Sequence, residues 1–174
     1  MAEKLRKLFN KGDIREAVKR LARAISTDLD AEEIVFVSVL KGSFMFISDL
    51  LREIKSPVVI DFVRAASYGC GTSTCGEVRL TKDLEMDIAG KNVIIVDDII
   101  DSGLTLRAIR DMLLARNPRS VRICALIDKK GRREVEIEGD YVAFTIDDGF
   151  VVGYGIDYAE QYRNLPEIFI REEA

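Results

Sequence analysis

The chain of 174 residues contains no histidine. That absence excludes a Ser-His-Asp triad, a Cys-His pair and any histidine-ligated metal. Acid–base chemistry must then fall to Asp, Glu, Lys or Tyr. A bound metal would be held by oxygens, which suits Mg²⁺. Only three cysteines are present, Cys70, Cys75 and Cys124, with no CxxC spacing. An odd count of this kind does not form a disulfide framework. Cys70 and Cys75 share one small-residue segment, either as a redox pair or as two reduced side chains. No apolar run approaches the roughly 18 residues of a membrane span, so no membrane partner is expected. The opening "MAEKLRKLFN" has neither a long apolar core nor a small-residue cleavage site. A soluble, cytoplasmic protein is the expectation. Basic residues do not outnumber acidic ones, with 26 Lys and Arg against 30 Asp and Glu. The formal net charge is −4, against the basic face of a nucleic-acid binder, and no nucleic-acid partner is expected.

What is present reads as one α/β domain spanning residues 1–174, 48% apolar and 32% charged, long enough to bury a sizeable core. Asp13 with Glu16 resembles a capping box. Ile14, Ala17, Val18, Leu21 and Ile25 then recur at helical spacing. The runs Ile34–Leu40, Val58–Val63, Val93–Val96, Val121–Ile127 and Tyr141–Ile146 read as strands. Glu77–Thr81 is a possible return strand, and Phe150–Tyr154 is a short apolar stretch. Phe44–Ile54 and Leu104–Ala115 read as helices between them. Alternation of this kind predicts a mostly parallel sheet with helices on both faces. In such folds ligands gather at the carboxyl ends of the strands. Four unusual segments fall at such ends: "LKGS", "VDDIIDSGLT", "LIDKKG" and "FVVGYGID".

The densest of them is "VIIVDDIIDSGLTL", Val93–Leu106. A buried strand runs into Asp97 and Asp98, then Asp101, then a small hydroxyl-rich turn that opens a helix. The first N–H groups of a helix lack intrahelical partners and, with the helix dipole, favour an anion. Gly103 permits a tight turn, and Ser102 and Thr105 add hydroxyl donors. The GxxxxGK[ST] pattern of a triphosphate loop is absent, and so short a turn suits one phosphate. Asp97 and Asp98 fall where a sugar on that phosphate would lie, and carboxylates accept hydrogen bonds from paired hydroxyls. The plainer alternative is a capped helix with solvated aspartates.

"VIIVDDIIDSGLTL" resembles the phosphoribosyl-pyrophosphate (PRPP) motif of type I phosphoribosyltransferases. "VLKGSFMFISDLL", "SYGCGTSTCGEVRLTKDL", "ICALIDKKGRR" and "FVVGYGIDYAEQYRNLP" resemble, in order and spacing, the segments of the hypoxanthine-guanine branch of that family. The likeness covers roughly residues 34–166. It implies the type I fold: a mostly parallel central sheet, a small hood region and a flexible active-site loop. It also implies transfer of the phosphoribosyl group from PRPP to hypoxanthine or guanine, giving IMP or GMP and pyrophosphate, with Mg²⁺ as cofactor. A xanthine-preferring enzyme or a PRPP-sensing regulator of the same fold are the alternatives. A homodimer or homotetramer is the usual assembly.

Residue roles follow by the same resemblance. Asp101 is the general base near purine N7. Asp97 and Asp98 hold the ribose hydroxyls, although the family usually has Glu at the first position. Ser102, Gly103, Leu104 and Thr105 cradle the 5′-phosphate. Lys41 and Gly42 bind pyrophosphate, after a peptide that is often cis, and Arg163 is directed at pyrophosphate. Lys129 donates to purine O6 and so selects a 6-oxo over a 6-amino group. Phe150 stacks on the base and Val151 contacts it through its backbone. Asp157 accompanies a Mg²⁺ and the purine 2-position, and with Asp97 and Asp98 completes the acids assigned to metal. Ser67 and Tyr68 begin the loop that closes over the reacting centre. Just before Phe150, "IDDG" departs from the proline-containing turn usual in the family. Lys130, Arg132 and Arg133 read as a solvated basic turn.

Overall fold

The computed structural model describes residues 4–29, 33–68 and 77–172. Among the described residues, nine strands form two sheets, accompanied by three helices. The main sheet comprises β2 (Ile34–Val39), β3 (Val59–Tyr68), β4 (Glu77–Lys82), β5 (Asn92–Ile100), β6 (Ser120–Lys129) and β7 (Tyr141–Ile146). Their order is β4-β3-β2-β5-β6-β7, parallel throughout except for β4 on one edge. A small antiparallel sheet joins β1 (Lys4–Phe9), β9 (Ile168–Glu172) and β8 (Phe150–Val152). This is the hood. Phe9 stacks on Phe144 of β7 with ring centroids 3.8 Å apart, fastening the hood to the main sheet.

Alternation along the central strands builds two cores. Ile34, Phe36, Ile94, Val96, Cys124 and Leu126 pack with α1 (Lys11–Asp28) and α2 (Phe44–Glu53). Val35, Val37, Val93, Ile95, Ile123 and Ala125 pack with α3 (Leu104–Leu114). A strand buried on both faces needs a continuous apolar run, which is why these segments lack polar alternation. The helices contribute single faces: Ile14, Ala17, Val18, Leu21, Ala22 and Ile25 from α1, Phe46, Ile47 and Leu50 from α2, and Leu106, Ile109 and Leu113 from α3. Arg20 of α1 donates to the Val142 and Ala143 carbonyls at 3.3 and 2.7 Å, covering the outer edge of β7.

Several boundaries differ from the sequence reading. The helix cap is Asn10, not Asp13. Asn10 Oδ1 accepts from the Gly12 and Asp13 N–H groups while the Asp13 carboxylate accepts from Asn10 N, so Asp13 is the third residue of the box. Strands β1 and β9 were not anticipated. β5 runs through both aspartates to Ile100 rather than ending at Val96. Ser67 and Tyr68 belong to β3 and pair with Val78 and Glu77 of β4. The loop therefore does not begin with them, and residues 69–76, with Cys70 and Cys75, lie outside the described residues. Cys124 is free and buried among apolar side chains, which pushes its thiol pKa up.

Candidate active site

Most predicted residues lie at the carboxyl ends of β2, β5 and β6 or on the hood strand β8 and the segment after it, while Ser67 and Tyr68 end β3. Alternation along β5 places them. Val93 and Ile95 face α3, so Asp97 continues that side, while Asp98 continues the side of Ile94 and Val96. Beyond the pair the phase slips by one residue. Ile99 packs with the α1/α2 core and Ile100 with the α3 core. The two aspartates thus sit at an irregularity of the strand and serve opposite sides of it.

On one side Asp97 lines a cavity of about 100 Å³ with Ile99, Ile100, Asp101, Ser102, Gly103, Thr105 and Leu106. Gly103 has φ 85°, and a Cβ there would lie 2.5 Å from Ile137 Cγ2, so the turn needs glycine. Gly103 caps α3 without a side-chain acceptor, and Ser102 Oγ accepts weakly from Leu104 N at 3.4 Å. The opening of α3 is therefore an anion-favouring helix terminus.

On the other side Asp98 packs against Gly42. A Cβ on Gly42 would fall 1.7 Å from Asp98 Oδ2, a contact no side chain permits. The Leu40–Lys41 peptide is cis, as the resemblance implies. Lys41 Nζ pairs with Glu160 Oε2 at 2.9 Å, and Arg163 Nη2 pairs with Asp157 Oδ1 at 2.8 Å and Glu160 Oε2 at 3.3 Å. Arg163 Nη1 also donates to the Gly155 carbonyl at 2.9 Å. Glu160 is held below the usual carboxylate range, first by its hydrogen bond from Lys41 and then by that from Arg163.

The third group lies at the ends of β6 and β8. Lys129, with a side chain 4% exposed, has Asp101 Oδ1 and Asp148 Oδ1 each 3.4 Å from Nζ. Its Nζ stands 5.9 Å from the centroid of Phe150. Phe150 is 48% exposed, and its ring meets Tyr158 edge-on, with centroids 6.3 Å apart. Arg171 stacks over Tyr158 at 4.0 Å. Val151 turns its side chain into the core, leaving its backbone beside the exposed ring. Asp101 Oδ1 is shielded from water and accepts no hydrogen bond.

The electrostatics of the β5 pair are adverse. Burial, then the charge of Asp98, pushes the Asp97 pKa well above the ordinary carboxylate value. Burial also raises Asp98, against the opposing influences of neighbouring donors and Arg163. Within the protein, Asp97 Oδ1 accepts from the Asp98 N–H at 3.0 Å and Asp98 Oδ1 from the Ile99 N–H at 3.1 Å. A larger cavity of about 500 Å³, lined in part by Ile14, Met45, Tyr154 and Pro166, holds none of the predicted residues.

Residues 6–159 match the phosphoribosyl transferase domain family. The chain belongs to this family. It is 44% identical over 172 residues to the hypoxanthine-guanine phosphoribosyltransferase of Aquifex aeolicus, covering 98% of this chain and 97% of the relative. It is 47% identical over 163 residues to the hypoxanthine phosphoribosyltransferase of Escherichia coli, covering 92% of each. The crystal structure of a hypoxanthine-guanine phosphoribosyltransferase from Bacillus anthracis superimposes with a TM-score of 0.91 at 48% identity, covering 99% of this chain and all of that one. The type I phosphoribosyltransferase fold is therefore that of this chain, with the purine-salvage branch as its relatives.

A phosphoribosyltransferase of this branch is expected to use Mg²⁺. Asp97 and Asp98 supply hard oxygens whose ionisation burial opposes, a donor set that a divalent cation or sugar hydroxyls would relieve. Asp157 has both oxygens engaged, Oδ1 by Arg163 and Oδ2 by the Glu160 N–H at 2.8 Å. Among the described residues no three His, Cys, Asp or Glu side chains converge as a metal cage. The adjacent carboxylates of Asp97 and Asp98 suit Mg²⁺, which keeps waters and takes substrate oxygens.

The sequence reading missed several contacts. Tyr158, Glu160 and Asp148 each touch a predicted residue, and Arg132 Nη1 lies 3.7 Å from Asp101 Oδ2. The basic turn is not simply solvated. Lys130 Nζ pairs with the buried Asp128 at 2.7 Å, and Arg133 is largely buried. A corner of acids and bases in a short loop signals none of these pairings, which depend on the strand ends that meet it. No described helix is long and apolar enough to cross a membrane.

Proposed function

We propose that the three groups form one active site for transfer of a 5-phosphoribosyl group from PRPP to the N9 of a 6-oxopurine, hypoxanthine or guanine, yielding IMP or GMP and pyrophosphate. The observation that carries the reading is the Lys129–Asp101 pair, 3.4 Å apart beside the exposed face of Phe150. A buried ammonium offers a donor to an exocyclic carbonyl. A shielded carboxylate oxygen without a hydrogen bond accepts a ring proton. An exposed aromatic ring offers a stacking surface.

In this reading the 5′-phosphate rests on Ser102, Gly103, Leu104 and Thr105, and the ribose hydroxyls donate to Asp97 and Asp98. Lys41, Gly42 and Arg163 hold the pyrophosphate. The N9–C1′ bond forms as the bond from C1′ to the pyrophosphate oxygen breaks, and Asp101 takes the proton the purine gives up. The reacting centre carries positive charge in passing, so the chain's contribution is orientation and carboxylate placement. Mg²⁺, when bound beside Asp97, Asp98 and Asp157, supplies charge neutralisation to the departing pyrophosphate.

The deciding experiment is release of pyrophosphate from PRPP with hypoxanthine, guanine, xanthine or adenine supplied singly. Turnover of the 6-oxopurines, with adenine inert, supports the reading. PRPP binding with no turnover of any base would instead favour a sensor of the same fold. A cytoplasmic homodimer or homotetramer belongs to the same reading, and light scattering of the purified chain measures its assembly.

A further inference from the structure

We propose that Arg133, to which no substrate contact is assigned, is the residue that aims the phosphate turn and ties it to the purine-selecting lysine. Its side chain is 16% exposed and its donors are spent on the ends of two adjacent strands. Nε donates to the Asp101 carbonyl at 3.1 Å and Nη2 to the Ile100 carbonyl at 3.4 Å. Nη2 also reaches the Lys129 carbonyl at 3.4 Å and the Asp128 carboxylate, while Nη1 reaches the Ile137 carbonyl. The next residue continues the pattern, with Glu134 N donating to the Ser102 carbonyl at 2.9 Å.

Three consecutive carbonyls, those of Ile100, Asp101 and Ser102, are thus turned toward the 133–134 segment. In a trans peptide the C=O and the N–H of one unit point in opposite directions. The N–H groups of Asp101, Ser102 and Gly103 must therefore face away from Arg133. A run of such N–H groups before a helix terminus makes an anion-binding concavity. Carbonyls turned the other way would repel a phosphate. Arg133 sets that polarity without touching the anion. The side chain also fixes spacing, because its Cδ would lie 3.2 Å from a Cβ on Gly103.

The contacts to Asp128 and the Lys129 carbonyl extend the same clamp to β6. Lys129 stands beside the purine position and Asp101 begins the phosphate turn, so one guanidinium sets the distance between base and phosphate subsites. Lysine cannot substitute, since a single ammonium does not span four carbonyls and a carboxylate in a planar fork. Arg133 is a positioning residue on this account.

The inference rests on Ser102–Thr105 being the phosphate turn, and the test separates the two. Arg133→Lys keeps the charge. Michaelis constants are measured for PRPP forward, and for IMP and pyrophosphate in reverse. The expected result is a rise of about 10–100-fold for PRPP and IMP, which carry the 5′-phosphate, with pyrophosphate unchanged. A structural role alone would move all three together or none, and either outcome overturns the inference. Should Arg133→Lys not fold, the double variant Asp128→Asn/Arg133→Met removes the buried acid with its partner, and the same selective pattern is expected of it. Thr105→Asp is the control, because a carboxylate placed in the turn repels a phosphate however the backbone N–H groups are aimed. If it leaves PRPP and IMP affinity intact, the turn is not the phosphate site and both readings fall. If it weakens them while the Arg133 variant behaves as the parent, only the role of Arg133 is lost.

Discussion

Lys129 and Asp101 face each other across the ends of β6 and β5, Nζ to Oδ1 3.4 Å, with the lysine almost wholly buried and the carboxylate oxygen accepting no hydrogen bond. The separation is longer than a good charge-assisted bond, for which about 2.7–2.9 Å is usual. Each group thus retains capacity for a third partner. A purine with O6 toward Lys129 and N7 toward Asp101 supplies donors and acceptors in the order this pair lacks.

Lys129→Gln follows directly. It removes the cation but keeps a side chain able to donate and accept. Use of hypoxanthine and guanine should fall, with PRPP affinity largely kept, and adenine should compete better than before. Unchanged steady-state kinetics with both 6-oxopurines would assign Lys129 to an ion-pair role with Asp148 alone.

Asp101 and Asp98 should separate in kinetics. Asp101→Asn keeps the size but loses the proton acceptor, so kcat should fall by about 10²–10⁴-fold while KM for PRPP moves little. Asp98→Asn weakens hydroxyl positioning beside Gly42, so KM for PRPP should shift along with kcat. PRPP titrations at saturating purine measure both. If Asp101→Asn raised KM alone, the division of roles would be wrong.

Much of this arrangement was legible in the chain, and the parts that were not share physical causes. Continuous apolar runs reveal strands buried on both faces, so β2, β5 and β6 stood out. β1 and β9 did not, because "KLRKLF" and "IFIRE" mix charge with half-buried apolar positions on a small, exposed sheet. β5 seemed to stop at Val96, since two adjacent acids look like a strand exit. The ladder instead continues, with Asp97 opposite Ala125 and Ile100 opposite Asp128. Gly42 explains part of the tolerance by leaving room for the Asp98 carboxylate. The acids of the PRPP motif were readable by resemblance, whereas Glu160 and Arg133 gain meaning from partners distant along the chain, Lys41 and Asp101, as well as from near neighbours.

Gly42→Ala tests that close approach. The added methyl group and Asp98 Oδ2 cannot share one position, so the carboxylate or the Lys41–Gly42 peptide must move. A displacement of about 1 Å in a positioning element costs on the order of 10²-fold in rate. The expected phenotype is a loss of that size in kcat/KM for PRPP, accompanied by lower thermal stability. Parental kinetics would show that the Asp98 carboxylate has no fixed place in the reaction.

Metal removal should abolish turnover. Mg²⁺ is commonly held by one or two carboxylates together with substrate oxygens, and Asp97 and Asp98 are adjacent in β5. Activity after EDTA treatment should return with Mg²⁺ or Mn²⁺, and elemental analysis should find no zinc. Full activity in EDTA would remove Mg²⁺ from the mechanism.

The last prediction concerns stability and has the opposite sign to the kinetic ones. Asp97 is raised well above the ordinary carboxylate value, chiefly by burial and then by the charge of Asp98. A carboxyl raised in the folded state binds its proton more tightly there than in the unfolded chain. Between the unfolded value, about 3.9, and the raised folded value, the folded state holds more protons. Stability contributed by this group is therefore present at low pH and declines as pH rises through that window. Above the window the ionised acid is a net cost to the ligand-free protein. Asp97→Asn removes that cost and keeps an acceptor for the Asp98 N–H, which donates to Asp97 Oδ1 at 3.0 Å. The variant should melt at a higher temperature than the parent at neutral pH without ligand. The gap should shrink as pH falls toward the unfolded carboxylate range, even though the same substitution weakens PRPP use. Melting curves of both proteins across that pH range are the check. A parent that is the more stable of the two at neutral pH would show that Asp97 is stabilising in the free protein, and that the strain assigned to the β5 pair does not exist.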